Sequence, residues 1–241
     1  MAELIARPDS ARQRIIVALD VADEEQLVGL VNKLLGQVGF VKIGKELFTA
    51  LGPKAVELVI NSGLKVFLDL KYHDIPNTVA GAVQAAARLG VDMLTVHASG
   101  GSSMLRAATA AAQESQKKPA IIAVTVLTSL SDPDLVDLGI KGSPEEVVQR
   151  LAGLALESGV DGLVNSPREV ARLRSRFGKK PLLITPGVRP AGSAADDQTR
   201  IATPQRAVAD GADYLVIGRP ITKAADPAEA VARIVAEMES S

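Results

Sequence analysis

The chain has 241 residues, a length that fits one large α/β domain or two small ones. Lysine and arginine number 27 against 28 aspartate and glutamate, so the charge balance gives no reason to expect a nucleic-acid or membrane surface. The sequence contains no cysteine, which excludes disulfides and thiolate chemistry, and no apolar run long enough for a signal peptide or a membrane span. We therefore expect a cytoplasmic globular protein.

Short runs rich in β-branched residues alternate along the chain with stretches that have helical periodicity. Strands are predicted at residues 15–19, 40–43, 65–68, 93–96, 121–126, 162–164, 182–184 and 214–217. Helices are predicted near residues 24–35, 47–60, 78–89, 102–115, 144–157, 167–176, 204–209 and 227–238. Several of these helices begin with a cap residue followed by proline and an acidic residue, which satisfies a backbone amide and presets the first turn.

Eight strand and helix units without a break in composition predict a single domain, a (β/α)8 TIM barrel over residues 1–241, with 1–13 as a short N-terminal extension. A doubly wound parallel sheet is the alternative. A glycine-rich fingerprint after the first strand would favour that sheet, but residues 18–23 contain no glycine. The barrel is therefore the favoured prediction.

Three charged residues, Asp69, Lys71 and Asp74, lie at the end of the third predicted strand. Residues two apart on a strand point to the same face, so Asp69 and Lys71 are expected side by side, with Asp74 on the following loop. Barrel enzymes keep their chemistry at the ends of strands. The structural alternative is a surface ion pair, which is common and contributes little to stability.

Polar residues also lie at the ends of four other predicted strands, where a barrel would bring them to one mouth. They are Asp20, Lys42, His97 and Thr128. Isolated charges that leave water are costly, and an alternating set of lysines and aspartates would keep each member ionised. The charged set is therefore predicted to be functional. His97 is interpreted as structural, and His73 as a residue that either packs or supports the site residues from behind. Two histidines are too few for a histidine-rich metal site.

The last two strands run into glycine-containing segments, 185–189 and 217–220, where barrels often bind phosphate through backbone amides. Arg219 is expected to make a bidentate contact there. The alternative is that the glycines serve turns and the arginines are solvated. Residues 190–200 form a long polar loop that is predicted to be a lid, with Gln198 best placed to reach the ligand.

Six segments of the chain, in order, resemble the orotidine 5′-monophosphate decarboxylase family. They are Val-Lys-Ile-Gly at 41–44, Leu-Asp-Leu-Lys-Tyr-His-Asp-Ile-Pro-Asn-Thr-Val at 68–79, Val-His-Ala-Ser-Gly-Gly at 96–101, Leu-Thr-Ser at 127–129, Thr-Pro-Gly-Val-Arg-Pro at 185–190 and Val-Ile-Gly-Arg-Pro-Ile at 216–221. Tyr72, where many relatives have phenylalanine, is a mild departure. The resemblance implies a barrel homodimer without cofactor or metal that converts orotidine 5′-monophosphate to uridine 5′-monophosphate and CO₂ in pyrimidine biosynthesis.

The resemblance also implies roles for individual residues. Lys71 would stabilise the carbanion at pyrimidine C6 and protonate it, and Asp69 would lie beside the substrate carboxylate. Lys42 would belong to the catalytic set, which Asp74 would complete, and with Asp20 it would contact the ribose hydroxyls. Asp74 would reach into the partner subunit's site.

The remaining roles concern substrate binding. Ile75 and Thr78 would accompany Asp74 across the interface, and Thr128 would contact the pyrimidine. The residues expected around the phosphate and its approach are Pro186, Arg189, Gln198, Gly218 and Arg219.

Three alternatives stay open on the sequence alone. A hexulose-phosphate synthase-like lyase would use the third-strand carboxylates to bind Mg²⁺, whereas residues 75–78 and 127–129 favour the decarboxylase. A phosphosugar-binding barrel without activity is also possible. A Schiff-base aldolase using Lys71 is disfavoured, because flanking carboxylates would keep that amine protonated and a poor nucleophile.

Overall fold

The computed structural model describes residue 5, residues 7–190 and residues 202–240. Eight parallel strands form a closed barrel in chain order, each paired with the next and the last with the first. The strands are β1 (Ile15–Ala18), β2 (Phe40–Gly44), β3 (Lys65–Tyr72), β4 (Met93–His97), β5 (Ala120–Val124), β6 (Gly162–Val164), β7 (Leu182–Thr185) and β8 (Tyr214–Ile217). The predicted (β/α)8 barrel is confirmed, and the doubly wound alternative is wrong because the sheet closes on itself.

Helices cover the outside of this barrel. They are α1 (Glu24–Leu34), α2 (Lys45–Leu51), α3 (Pro53–Asn61), α4 (Pro76–Arg88), α5 (Gly101–Glu114), α6 (Asp132–Asp137), α7 (Pro144–Glu157), α8 (Val170–Phe177), α9 (Pro204–Ala209), α10 (Arg219–Thr222) and α11 (Pro227–Glu239). Short 3-10 turns lie at Arg12–Arg14, Ala98–Gly100 and Pro167–Glu169. The predicted cap at Ser143 is present, and its side chain accepts a hydrogen bond from the Glu146 amide.

Three segments differ from the sequence prediction. The helix predicted at 47–60 is two helices, because Gly52 has φ 61° and Pro53 starts a new first turn. The segment between the predicted strand 121–126 and the predicted helix 144–157 contains α6, which begins with a capping box between Ser131 and Asp134. The third strand continues through Asp69 and Lys71 to Tyr72, and its register against β4 shifts between Leu68 and Tyr72.

Two hydrophobic layers hold the barrel together. Strand residues alternate, so Ile15 and Val17 face the helices whereas Ile16 and Ala18 face the barrel interior. Inside the barrel, the Tyr214 ring meets the Phe40 ring edge to face at 5.5 Å between centroids. Each fully buried aliphatic side chain contributes about 1.5–3 kcal/mol, so the fold tolerates charged residues at one end of the barrel.

The same hydrogen bond occurs three times at the opposite end of the barrel, where the strands begin. Three aspartates, each preceded by glycine and a small apolar residue, stand directly before β4, β6 and β8. Asp92, Asp161 and Asp213 accept hydrogen bonds at 2.8 Å from the backbone amides of Val66, Ile121 and Leu183. Each contact ties an even-numbered strand to the odd-numbered strand before it. Residues at this end of a barrel serve stability, which leaves the other end for function.

Within the described parts of the chain, no helix has the length and apolar character needed to cross a membrane.

Candidate active site

The carboxyl ends of the strands enclose a cavity of about 150 Å³, here called the apolar cavity. Most of its wall consists of hydrophobic side chains from the barrel interior and the loops above it. These are Phe67, Val124, Val126, Leu127, Val164, Ile184, Pro186 and Val216. Lys42, Asp69, Lys71 and Thr128 supply the polar part of the wall. A mostly apolar wall with a few fixed polar groups is typical of a small-molecule site.

Four charged side chains follow one another from this cavity outward and are here called the ion row: Lys71, Asp69, Lys42 and Asp20. Lys71 Nζ lies 2.8 Å from Asp69 Oδ1. Lys42 Nζ lies 3.6 Å from Asp69 Oδ2 and 3.4 Å from Asp20 Oδ1. Only 13% of the Asp69 side chain is exposed, against 54% for Asp20, so the row runs from the interior toward solvent. The sequence predicted all four residues, and the structure brings them together.

Asp69 is the centre of the ion row because both of its oxygens contact an ammonium group. Burial raises its pKa, but the ammonium charges of Lys42 and Lys71, with hydrogen bonds from Lys71 and Thr95, outweigh burial and lower that pKa below its usual value. Asp69 is therefore ionised at neutral pH. Lys71 and Lys42 share this carboxylate, and Lys42 also contacts Asp20.

The backbone of β3 changes course at Lys71, where φ is 54°, a left-handed conformation that residues other than glycine seldom adopt. Leu68 pairs with Leu94, and Tyr72 pairs with Val96, so four residue steps of β3 span two of β4. Such a bulge redirects side chains at the rim of a barrel. Asp69 and Lys71 are thus adjacent through a bulge, and the simple strand alternation predicted from the sequence is not the cause.

Thr95 in β4 fastens this bulge, and sequence reasoning did not find it. The backbone amide of Lys71 donates a hydrogen bond to Thr95 Oγ1 at 2.8 Å, and the hydroxyl donates to Asp69 Oδ1 at 3.1 Å. Thr95 is fully buried. The available signal was a polar residue inside the otherwise apolar strand 93–96, since buried hydroxyls need partners.

Gly44 at the end of β2 is a second residue that the sequence did not single out. A side chain there would start 2.9 Å from Lys42 Nζ and 3.6 Å from Asp20 Oδ1. Its φ of −93° is open to any residue, so glycine is required here for space and not for backbone conformation. Gly44 makes room for the Lys42 ammonium.

A second cavity of about 390 Å³, here called the polar cavity, lies beside the apolar cavity, and both are lined by Lys42, Pro186 and Val216. The other residues predicted for this end line it too: Asp20, Gly187, Arg189, Gly218 and Arg219. Three residues that the sequence did not indicate, Ala18, Glu46 and Lys223, complete the wall.

Two residues of the polar cavity show whether the glycines and arginines of segments 185–189 and 217–220 only form turns and contact solvent. Gly187 has φ 78°, so its turn requires glycine. Arg189 is only 7% exposed, so it is not a solvated side chain. The segments after β7 and β8 therefore combine tight backbone with guanidinium groups, an arrangement suited to an anion.

The two histidines lie together beside the ion row, with ring centroids 5.4 Å apart. Burial lowers the pKa of His97 to about 4, helped by the nearby charges of His73, Lys71 and Lys45 and opposed by Asp69. His97 is therefore neutral at neutral pH, which agrees with its interpretation as a structural residue.

Three predicted site residues stay away from both cavities within the single chain. Asp74, Ile75 and Thr78 are exposed, and Ile75 is 66% exposed although it is apolar. The Asp74 carboxylate accepts a hydrogen bond from the Ile75 amide at 2.6 Å. Gln198 and the rest of the predicted lid after Pro190 lie outside the described residues.

In the described ranges, no three histidine, cysteine, aspartate or glutamate side chains lie where they could hold a metal ion together. Asp69, the carboxylate that a metal-binding reading would use first, has both oxygens at ammonium groups instead.

The fold and the site together define a barrel protein with an enzyme-like site at its strand ends, composed of an ion row, an apolar cavity and a polar cavity. Residues 13–234 match the family described as "Orotidine 5'-phosphate decarboxylase / HUMPS family". The chain belongs to this family.

Similar proteins agree with this assignment over nearly the whole chain. The orotidine 5′-phosphate decarboxylase of Hahella chejuensis is 53% identical over 227 residues, which are 94% of this chain and 97% of that protein. The enzyme of the same name from Moorella thermoacetica is 54% identical and covers 95% and 93% of the two chains. A crystal structure of the Lactobacillus acidophilus orotidine 5′-phosphate decarboxylase superposes with a TM-score of 0.83 at 40% identity, over 95% of this chain and all of that one.

Proposed function

We propose that this protein decarboxylates orotidine 5′-monophosphate to uridine 5′-monophosphate and CO₂, as the names of its relatives indicate for them. The observation that carries the proposal is the Lys71 ammonium, held at 2.8 Å from Asp69 in the wall of the apolar cavity. A fixed cation in a mostly apolar wall is what a reaction needs when negative charge develops on carbon.

The chemistry proceeds by loss of one bond and gain of another. The bond between pyrimidine C6 and the carboxylate carbon breaks, CO₂ leaves, and the electron pair stays at C6. No adjacent carbonyl accepts that pair, so stabilisation has to come from charge placed before the reaction. Lys71 supplies the charge and then the proton that forms the C6–H bond.

The carboxylate of Asp69 has two effects in this proposal. It holds the Lys71 ammonium in position at 2.8 Å, so that no reorganisation is needed when the carbanion forms. It also stands beside the substrate carboxylate, and repulsion between the two would raise the energy of the ground state. Lys42 would balance the charge of Asp69 and, with Asp20, would contact the ribose hydroxyls.

The polar cavity would take the 5′-phosphate. Arg219 and the backbone around Arg189 and Gly218 supply donors for it, and Thr128 and Pro186 border the pyrimidine. The role of Gln198 at the phosphate stays a prediction. Binding energy gained there, away from the bond that breaks, would be realised mainly in the transition state.

The direct test is the change in orotidine 5′-monophosphate absorbance with purified protein, without added metal and again in excess EDTA. We expect equal rates in both, with release of CO₂. Activity that EDTA removes would point instead to a metal-dependent lyase. Tight nucleotide binding without CO₂ release would identify a binding protein.

Replacing Arg219 by alanine is expected to weaken substrate capture. Loss of charge-assisted hydrogen bonds to phosphate should lower kcat/KM by about 10- to 100-fold. Steady-state kinetics measures this. Arg233→Ala on the outer helix α11, whose side chain is 64% exposed, is the matched control and should change nothing. An unchanged kcat/KM in Arg219→Ala would remove Arg219 from the phosphate site.

Replacing Gly44 by alanine is expected to separate activity from stability. The new methyl group would displace the flexible end of Lys42, so kcat/KM should fall about tenfold or more while the melting temperature stays near wild type. Gly29→Ala in α1, where nothing lies within 4 Å of the new atom, is the control and should retain activity. A fully active Gly44→Ala enzyme would show that the position of Lys42 is not critical.

We further propose that the protein works as a homodimer in which Asp74, Ile75 and Thr78 enter the partner subunit's site. Their exposure in the single chain supports this, as does the apolar side chain of Ile75 at the start of α4. A cytoplasmic location stays a prediction that the proposed biosynthetic activity supports.

A further inference from the structure

The side chain of Thr95 lies beneath the ion row and is fully buried. Its hydroxyl joins two residues of the neighbouring strand, since it accepts from the Lys71 amide at 2.8 Å and donates to Asp69 Oδ1 at 3.1 Å. The same Asp69 oxygen accepts from Lys71 Nζ at 2.8 Å. Three hydrogen bonds therefore form a closed ring through Thr95, Asp69 and Lys71.

This ring lies at the only described point where the register between β3 and β4 shifts. Because Lys71 has φ 54°, its backbone departs from the extended strand and needs a partner that is not a regular ladder carbonyl. The Thr95 hydroxyl is that partner. Without it, a buried amide would lose its acceptor, and an extended conformation without the bulge would turn the Lys71 side chain elsewhere.

We propose that Thr95 is a positioning residue for the decarboxylation, whose hydroxyl fixes the bulge and so aims the Lys71 ammonium and the Asp69 carboxylate. The inference rests on the proposed function and deepens it. Thr95 does not line either cavity, so it acts through Lys71 and Asp69 and does not touch the substrate. Its hydrogen bond also helps to lower the pKa of Asp69.

The test compares Thr95→Val, which keeps the shape and removes the hydroxyl, with Thr95→Ser, which keeps the hydroxyl. In Thr95→Val, kcat should fall by about tenfold or more, while KM changes by less than about threefold. Thr95→Ser should restore most of the rate. The matched control is Thr125→Val in the segment after β5, which removes a buried hydroxyl that donates to the Val164 carbonyl at 3.3 Å and should leave kcat near wild type.

The pH profile separates positioning from mere stability. When the hydroxyl is absent, the pKa of Asp69 should rise, so the acid limb of kcat should move to higher pH in Thr95→Val and return in Thr95→Ser. A destabilised but otherwise normal site would lower the amount of active enzyme without moving this limb. If Thr95→Val does not fold, Thr95→Ala compared with Thr95→Ser decides the same question.

A crystal structure of Thr95→Val tests the inference independently of activity. Lys71 should lose its positive φ or its contact with Asp69. Retention of both, or a kcat within about twofold of wild type in an active enzyme, would overturn the inference while leaving the proposed function intact. A wild-type protein that releases no CO₂ would instead overturn the proposed function, and the structure of the variant would still decide whether Thr95 holds the bulge.

Discussion

Lys71→Ala is expected to lower kcat at least about a thousandfold while leaving nucleotide binding nearly unchanged. The ammonium meets charge that exists only as the carbanion forms, so its removal costs transition-state stabilisation and the proton donor together. The side chain lies in the wall of the apolar cavity, whereas the groups proposed to bind phosphate line the polar cavity. Turnover is measured by the absorbance of orotidine 5′-monophosphate, and binding by calorimetry with uridine 5′-monophosphate.

Lys65→Ala provides a control on the same strand. Lys65 begins β3 at the opposite end of the barrel, where its ammonium lies 5.5 Å from the centre of the Phe40 ring. Its removal should cost about 0.5–1 kcal/mol of stability and no activity. If Lys71→Ala retained a kcat within about tenfold of wild type, Lys71 could not be the residue that protonates C6.

The barrel itself could be predicted from the sequence because its signals are local. Each strand is a short apolar run, each helix has its own cap, and eight such units leave few other ways to bury both faces of a parallel sheet. Strand ends in a barrel meet at one mouth, so Asp20, Lys42 and Asp69 could be placed together without knowing any contact.

The positions of Lys71 and Thr95 show what the sequence could not reveal. Strand alternation alone brings Lys71 to the same face as Asp69, but the structure does so through a bulge in which Lys71 is left-handed. A bulge depends on the pairing of β3 with β4, two strands whose register is set by packing across the barrel and is not encoded in either segment. Thr95 therefore looked like one polar residue in an apolar strand.

The roles of Gly44 and Asp74 were difficult to predict from the sequence for related reasons. The need for glycine at 44 comes from the end of the Lys42 side chain, which depends on its partners in the ion row. The three-charge motif predicted Asp74 at the site, but in a single chain this carboxylate is exposed and contacts its own neighbour Ile75. Its proposed role depends on a second subunit, which a motif can suggest only through resemblance.

Mixing two inactive variants should therefore restore activity if the site is shared. In a symmetric dimer of Lys71→Ala with Asp74→Ala, one site combines both defects, and the other combines an intact Lys71 with the partner subunit's Asp74. An equal mixture that exchanges subunits freely should regain about one quarter of the wild-type sites. The regained activity is measured as the rate of decarboxylation before and after exchange, with each variant alone as the baseline.

The pair Lys71→Ala and Asp69→Ala is the matched control for this experiment. Asp69 and Lys71 contact each other at 2.8 Å within one chain, so a mixed dimer of these variants has one defect in each site and no intact one. Recovery is expected for the first mixture and not for the second. No recovery in either, despite exchange demonstrated by mass spectrometry of differently tagged chains, would mean that the partner's Asp74 is not needed. Recovery in both mixtures would mean that the Asp69 and the Lys71 of one site can come from different subunits.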